Sequence, residues 1–357
     1  MTTTSSTAIR RSDSVERYLA RRRRHLFLLA FLSALTLLSF FTDVAIGPGH
    51  YSPKSVLTAL LTPAAASDIV NIVVWEIRLP VAAMAVLVGI SLALAGAGMQ
   101  TILNNPLADP FTLGISSAAS VGAALAIIFG AGVAPLAGTL LVTGNAFVFA
   151  MLATVIIWGI NCLRGVNVQT MVLMGIAIMF FFNALLGLLQ YLASAQALQQ
   201  LIFWSLGSLG KSSWDKIGLM LISLAVCIPV FVRARWQLTA LRLGELHAKA
   251  MGINVGRLRL TVLLCSSLLA ATAVAFVGTI GFVGLVGPHI ARLLVGEDQR
   301  IFLPMAALCG GLIMSVASIL SKTLIPGILS PIGIITALIG LPFFVSLILK
   351  SRKEFWG

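Results

Sequence analysis

Apolar segments long enough to cross a bilayer recur along this chain. They lie at 26–46, 79–98, 114–130, 137–160, 170–192, 214–233, 258–280, 282–295, 303–321 and 332–349. A helix needs about 20 mostly apolar residues to span the hydrocarbon layer. The pattern therefore predicts an all-α, polytopic membrane protein of about ten transmembrane helices, in which the eighth segment is short enough to be a half-helix.

Three further stretches also have patterns that indicate a local structure. In residues 51–62, Ser52 precedes Pro53 and apolar residues follow at helical spacing, which predicts a short helix on the membrane surface. Residues 193–213 mix polar and aromatic side chains, as interfacial segments do. Residues 21–41 resemble a signal peptide, but no small-residue cleavage site follows, so we interpret them as an uncleaved first helix.

The distribution of Lys and Arg predicts the orientation of the helices. With the N-terminus inside, 19 of the 24 basic residues fall in or beside inside segments and 5 fall outside. Cytoplasmic loops carry this excess in membrane proteins. We therefore expect ten spans with both termini cytoplasmic: a basic tail at 1–25, a permease domain at 26–350 and a second tail at 351–357. The Ser/Thr/Arg-rich residues 1–20 are expected to be disordered.

Composition excludes several classes of protein. Only 10% of the residues are charged, against about 25% in soluble domains, and the mean hydropathy is +1.04. The net charge of +13 lies mostly in predicted cytoplasmic segments, which argues against a nucleic-acid partner and suits an anionic lipid surface. The four cysteines have no metal-ligand spacing. We expect no cofactor and no metal site.

The chain also lacks an internal source of energy for transport. None of its 11 acidic residues falls near the middle of a predicted span, which weakens an ion-coupled secondary transporter. There is no phosphate-binding loop of the type G-x-x-x-x-G-K-[ST], so no ATPase site is expected. A scaffold or sensor would predict a sizeable soluble domain, and none is present. A transporter of this kind needs an external ATPase.

Small residues recur at two places. In the second predicted helix, Gly89, Ala93 and Ala97 have the spacing that lets helix backbones approach closely. In the segment 240–253, Gly244, Ala248 and Gly252 fall at i, i+4 and i+8, which places them on one face of a short helix. That face either packs against the bundle or docks into a groove of a soluble partner.

Several blocks of sequence resemble one family. They are RLPVAAMAVLVGISLALAGAGMQTILNNPLADPFTLGIS (78–116), FWSLGSLGKSSW (203–214), LRLGELHAKAMGI (241–253), VGTIGFVGLVGPHIARLLVGEDQR (277–300) and SPIGIITALIGLPFF (330–344). In this order they resemble the FecCD family, the permeases of iron–siderophore and cobalamin ABC importers.

The resemblance implies an assembly and a function. A second permease subunit, identical or not, would pair with this one in the inner membrane, with two cytoplasmic ATPase subunits below and an extracytoplasmic substrate-binding protein above. The cargo would be a ferric siderophore, or alternatively haem or cobalamin, moved by alternating access. The coupling helix that receives the ATPase movement would carry Leu243, Gly244, Glu245, Ala248, Met251 and Gly252.

Two further sets of residues follow from the resemblance. Arg78 and Lys322 occupy or adjoin positions where the family's outer face pairs with acidic residues of the binding protein. The family often has a second Arg where Val81 stands, and an acidic residue before the block at 331, where this chain has Ser330. Candidates for the lining of the translocation path are Gln100, Asn104, Asn183 and Gln190.

Overall fold

The computed structural model describes residues 4–47, 51–132, 138–164, 167–325 and 328–351, which contain helices and no strand. The longer helices are α1 (Thr4–Ala45), α4 (Leu79–Ile102), α5 (Ile115–Phe129), α6 (Gly138–Arg164), α7 (Val168–Leu192), α9 (Trp214–Arg242), α11 (Val255–Val277), α12 (Val283–Val295), α13 (Gln299–Thr323) and α14 (Ile332–Ser351). The shorter helices are α2 (Pro53–Leu61), α3 (Asp68–Ile72), α8 (Ala195–Ser205) and α10 (Glu245–Ala250).

Among the residues that the structure describes, seven helical stretches are long and apolar enough to cross a membrane, and three more apolar stretches, the last over Ile332–Val345 within α14, are shorter. One of the seven is composite: α3 continues through a π-helical turn at Val73–Arg78 into α4, giving a single stretch over Asp68–Ile102. The three shorter ones include Val283–Val295, the segment predicted to be a half-helix. All ten predicted apolar segments therefore coincide with helices, and the polytopic helical class is confirmed.

Helix α4 lies at the centre of the bundle, where it packs against α11, α12 and α13. The small residues of its sequence explain this position. A methyl group added at Gly89 would collide with the backbone of Gly310, and one added at Gly96 would collide with the backbone of Gly284. Glycine at these points lets the helix axes approach until backbone meets backbone, as the small-residue spacing predicts.

The ends of the helices agree with local sequence signals, with one exception. Helix α2 begins where predicted, because the Ser52 side chain accepts a hydrogen bond from the amide of Ser55 at 3.2 Å. The exception is the N-terminal segment, which was expected to be disordered but continues α1 back to Thr4. No Gly or Pro interrupts residues 4–45, so the helix can propagate from its apolar half.

The bundle has an inner end and an outer end. The inner end carries α10 and the last turn of α4, and the outer end carries α2 and α8. At the outer end, the indole of Trp214 donates a hydrogen bond to the carbonyl of Trp75 at 3.0 Å, which joins the start of α9 to the π-helical turn.

Candidate functional site

Helix α10 forms a short projection at the inner end, between α9 and α11. Gly244 precedes it with φ +121° and Gly252 follows it with φ +79°. Residues that carry a side chain rarely adopt such positive φ values, whereas glycine does so readily. The predicted stripe of three small residues on one helical face is therefore wrong. Only Ala248 lies within the helix, where it is fully buried, while the two glycines set the turns that begin and end it.

The outward surface of α10 and its flanking turns carries three large apolar side chains, beside the exposed His247 and Lys249. Leu246 is 83% exposed, Leu243 70% and Met251 66%. Nothing lies within contact distance of a methyl group added at Gly244 or Gly252. Large apolar side chains this exposed are typical of a surface that meets a partner. Leu246 was absent from the residues predicted for coupling, although it lies in the matched block at 241–253.

A buried arginine ties α10 to the transmembrane helices. Arg259 of α11 is 4% exposed, and its guanidinium donates to Glu245 Oε2 at 2.8 Å and to the carbonyl of Ile102, in α4, at 3.2 Å. Glu245 also pairs with Lys249 at 2.8 Å. Hydrogen bonds from Lys249 and Arg259 hold the pKa of the Glu245 carboxyl below its ordinary value. A displacement of α10 would therefore pull on both α11 and α4.

A second polar network lies at the same end. Glu297, between α12 and α13, accepts hydrogen bonds from Arg242 at the end of α9 and lies 3.2 Å from Arg292 Nε. Arg242 also donates to Asn104 Oδ1 at 2.7 Å, and Arg292 donates to Gln100 Oε1 at 2.9 Å. Helices α4, α9 and α12 and the turn before α13 are thus joined here by charged and polar side chains.

These contacts locate two of the predicted path residues. Gln100 is fully buried and donates to the carbonyl of Gly284 at 3.3 Å, so its amide is engaged inside the bundle. Asn104 is exposed at the inner end, with φ +45°. Their role in lining a path stays a prediction, and the burial of Gln100 speaks against it for that residue.

The other two predicted path residues share one face of α7. Asn183 is exposed and Gln190 is half-buried, seven residues apart. The same helix exposes Phe180, Leu188 and Tyr191, and little of its surface is covered by neighbouring helices. Polar side chains on an open transmembrane face are unfavourable against lipid. Asn183 and Gln190 are therefore accessible members of the predicted set, on a face that neighbouring helices leave open.

The predicted docking cations lie inside the outer end. Lys322 Nζ donates to Asp43 Oδ1 at 2.9 Å and to the Asp43 carbonyl at 3.0 Å, and both side chains are almost fully buried. Arg78, 2% exposed, donates to the carbonyls of Ala45 at 2.8 Å and Gly47 at 3.1 Å. Both cations hold the last turn of α1. Docking by these residues stays a prediction, and their burial favours a structural role.

Sequence reasoning missed Arg259 of the first inner-end network and Arg242, Arg292 and Glu297 of the second. A signal was available, because charged residues at the ends of apolar segments need partners when the ends are buried. Their pairing could not be read from the sequence, since Arg242 and Glu297 are 55 residues apart and Gln100 and Arg292 are 192 apart.

The helical bundle, with several helices long and apolar enough to cross a membrane, defines the general class, that of polytopic membrane proteins. The sequence profile of the FecCD transport family matches residues 35–350, and the chain belongs to this family. A hemin transport permease of Yersinia pestis is 37% identical over 89% of this chain and 95% of its own length. A vitamin B12 import permease of Salmonella typhi is 32% identical over 93% and 98%.

A solved structure has the same fold. It is an inward-facing conformation of a metal-chelate type ABC transporter, 31% identical, with a TM-score of 0.79 over 90% of this chain and 98% of that one. The chain is thus a membrane permease of the ABC importer family that includes haem, iron-chelate and cobalamin systems.

Proposed function

We propose that this chain is the translocation subunit of an importer that moves a ferric siderophore by alternating access, driven by ATP hydrolysis on two partner subunits. One observation carries the proposal. The exposed apolar surface of α10 is joined through Glu245 and Arg259 to α11 and α4, so a partner that moves α10 also moves the centre of the bundle.

The proposed orientation places α10 and both termini in the cytoplasm, with ten helices crossing the inner membrane. Two of them, α5 and α12, are shorter than a bilayer requires for a straight helix. Neighbouring protein can accommodate such segments when they are packed within a bundle. The 19-to-5 distribution of basic residues supports this orientation.

The proposed assembly contains a second permease subunit, identical or not, facing α7. The open face of α7 carries Asn183 and Gln190, whose amides would be poorly placed against lipid. A path between two such faces would be weakly polar. That suits a transporter whose affinity lies in a separate extracytoplasmic binding protein, because strong binding within the path would slow release.

The proposed cargo follows from the family. The relatives named above handle hemin and vitamin B12, and the solved structure is of the metal-chelate type. A ferric siderophore is the proposed substrate, and haem or cobalamin is the alternative. All three are bulky, so the open face of α7 does not discriminate between them.

The test is reconstituted transport. The permease, extracted with the ATPase and binding protein that accompany it, is placed in vesicles and supplied with ATP and a ferric siderophore, haem or cobalamin. We expect ATP-dependent uptake of the siderophore. Uptake of only haem or cobalamin would select the alternative cargo. Uptake without ATP or without the ATPase would contradict the mechanism.

A pair of variants tests the coupling surface. Leu246→Ser removes an apolar side chain from α10, and Leu163→Ser changes an equally exposed leucine (87%) at the inner end of α6. We expect Leu246→Ser to reduce uptake and ATPase retention about tenfold or more, as hot-spot truncation does, with Leu163→Ser near wild type. Equal uptake and equal ATPase retention in the two variants would contradict coupling through α10.

A further inference from the structure

A basic groove lies at the inner end, outside the coupling site, between α1 and the turn that joins α12 to α13. It encloses about 640 Å³. Helix α1 contributes Arg21, Arg22 and His25 to its wall, and the opposite wall is formed by residues 295–301, including Glu297, Asp298 and Arg300. No residue of α7 or α10 lines this groove.

The carboxylates of the groove are already engaged by other cations. Glu297 pairs with Arg242 and Arg292, and Asp298 receives hydrogen bonds from the Arg300 guanidinium at 2.5 to 3.0 Å. Within the described part of the chain, no carboxylate lies within ion-pair distance of Arg21 or Arg22, and both are exposed. The groove therefore presents positive charge that is not neutralised internally.

The position of the groove along α1 indicates its depth in the membrane. Directly after the arginines, α1 exposes Leu26, Phe27 and Phe31, which are 55 to 68% accessible in the isolated chain. The outward surface of α1 therefore changes from cationic to apolar at Leu26. Across the groove, the guanidinium of Arg300 lies 4.2 Å from the ring centre of Trp236, a residue that is 58% exposed. Tryptophan at this level is typical of the headgroup region.

We propose that the groove binds the headgroup of an anionic phospholipid from the adjoining leaflet. Arginine guanidinium groups bind phosphate oxygens in a bidentate geometry, and Arg21 and Arg22 are available for this. The acyl chains would lie along the apolar surface of α1 that begins at Leu26. An acidic protein segment would match the charge but not the apolar surface beside it, so a lipid is the better occupant.

The helical geometry of α1 provides a matched control. At about 100° per residue, Arg21, Arg22 and His25 fall within an arc of about 100°, while Arg23 and Arg24 lie about 150° and about 110° from the centre of that arc. Arg23 and Arg24 do not contribute to the groove. The double variants Arg21→Gln/Arg22→Gln and Arg23→Gln/Arg24→Gln remove the same formal charge from the same turn. Only the first removes it from the proposed site.

The experiment is a titration of phosphatidylglycerol into the permease, extracted in mild detergent with its accompanying subunits and followed by native mass spectrometry. Phosphatidylcholine and inorganic phosphate serve as competing probes. We expect saturable retention of phosphatidylglycerol by the wild type. Retention should fall roughly thirtyfold in the Arg21/Arg22 variant, since each basic residue near an anionic lipid contributes about a fivefold effect. The Arg23/Arg24 variant should change about threefold or less, because its charges are solvated and screened.

Several outcomes would overturn the proposal. An equal loss in both variants would show diffuse attraction rather than a site. Equal retention of phosphatidylcholine, or displacement by inorganic phosphate at low millimolar concentration, would remove the requirement for an anionic lipid. Unchanged lipid retention with loss of a copurifying subunit in the Arg21/Arg22 variant alone would assign the groove to a protein. None of these readouts depends on transport, so the test is separate from that of the proposed function.

Discussion

The two ends of the bundle use charge in different ways. At the outer end, Lys322 and Asp43 form one pair from which water is excluded, and Arg78 is bound to backbone carbonyls of its own chain. At the inner end, Glu245 and Glu297 are each 41% exposed, and each is shared by two cations. A buried pair cannot rearrange without leaving a charge unpaired, whereas shared, half-exposed carboxylates can exchange partners.

This difference has a consequence for movement. The outer-end charges fix α1 to α13 and to the π-helical turn before α4, whereas α10 is joined to α11 and α4 through the buried Arg259 and the half-exposed Glu245, which water can reach. We infer that the outer-end charges maintain the fold and that the inner-end charges transmit displacement. Three predictions test the contrast, in decreasing order of expected effect.

The largest effect is expected from Lys322→Met. The substitution leaves Asp43 buried without its cation, which costs about 3–5 kcal/mol when one partner of a buried pair is removed. Unfolding in mixed detergent–SDS micelles measures this loss. The double variant Asp43→Asn/Lys322→Met should recover most of it, because no unpaired charge remains. Lys54→Met, at an exposed lysine of the same end, should leave stability unchanged. Similar stability of the Lys322→Met and Lys54→Met variants would contradict the structural role inferred for the outer-end charges.

An intermediate effect is expected from Arg259→Gln. Arg259 loses its charge-assisted bond to Glu245 and its bond to the Ile102 carbonyl, worth about 1.5–3 kcal/mol. Because Glu245 keeps Lys249, the expected result is a loosened α10 in a folded protein. Hydrogen exchange at α10 should rise while the exchange of α4 changes little. Arg257→Gln, at an exposed arginine two residues away, is the control. Faster exchange throughout the bundle would instead make Arg259 a general stabilising residue.

The smallest effect is expected from pH. Lys249 and Arg259 lower the pKa of Glu245 in the folded chain. A depressed carboxyl pKa stabilises the fold above the ordinary value of 4.5, and this contribution is lost as pH falls through the folded pKa. The exchange protection of α10 should therefore fall with acidification below about pH 4.5. Glu245→Gln should abolish this dependence. If the exchange protection of α10 kept the same pH dependence in the Glu245→Gln variant, Glu245 would be excluded as the source of that dependence.

Local signals in the sequence were sufficient for most of the helices. The Ser52–Pro53 start of α2 and the close approach at Gly89 follow from rules that involve a few neighbouring residues. Two expectations failed, one that rested on spacing and one that rested on composition. Gly244 and Gly252 have the spacing of a helical stripe, but both have positive φ and bound α10 from outside it. The disorder expected for residues 1–20 is contradicted over residues 4–20, because composition takes no account of the apolar helix that these residues extend.

The sequence by itself determined the membrane class, the positions of the ten apolar helices and the block that carries α10, because hydropathy and helix start signals act over short stretches of chain. Only the tertiary structure decided which charges are buried and which pairs they form. Arg78 and Lys322 are loop-adjacent cations in the sequence, and the fold turns both inward. Arg259 is an ordinary basic residue in the sequence, and the fold makes it the link between α10 and α4. Burial and pairing depend on residues distant in the chain, which no local pattern encodes.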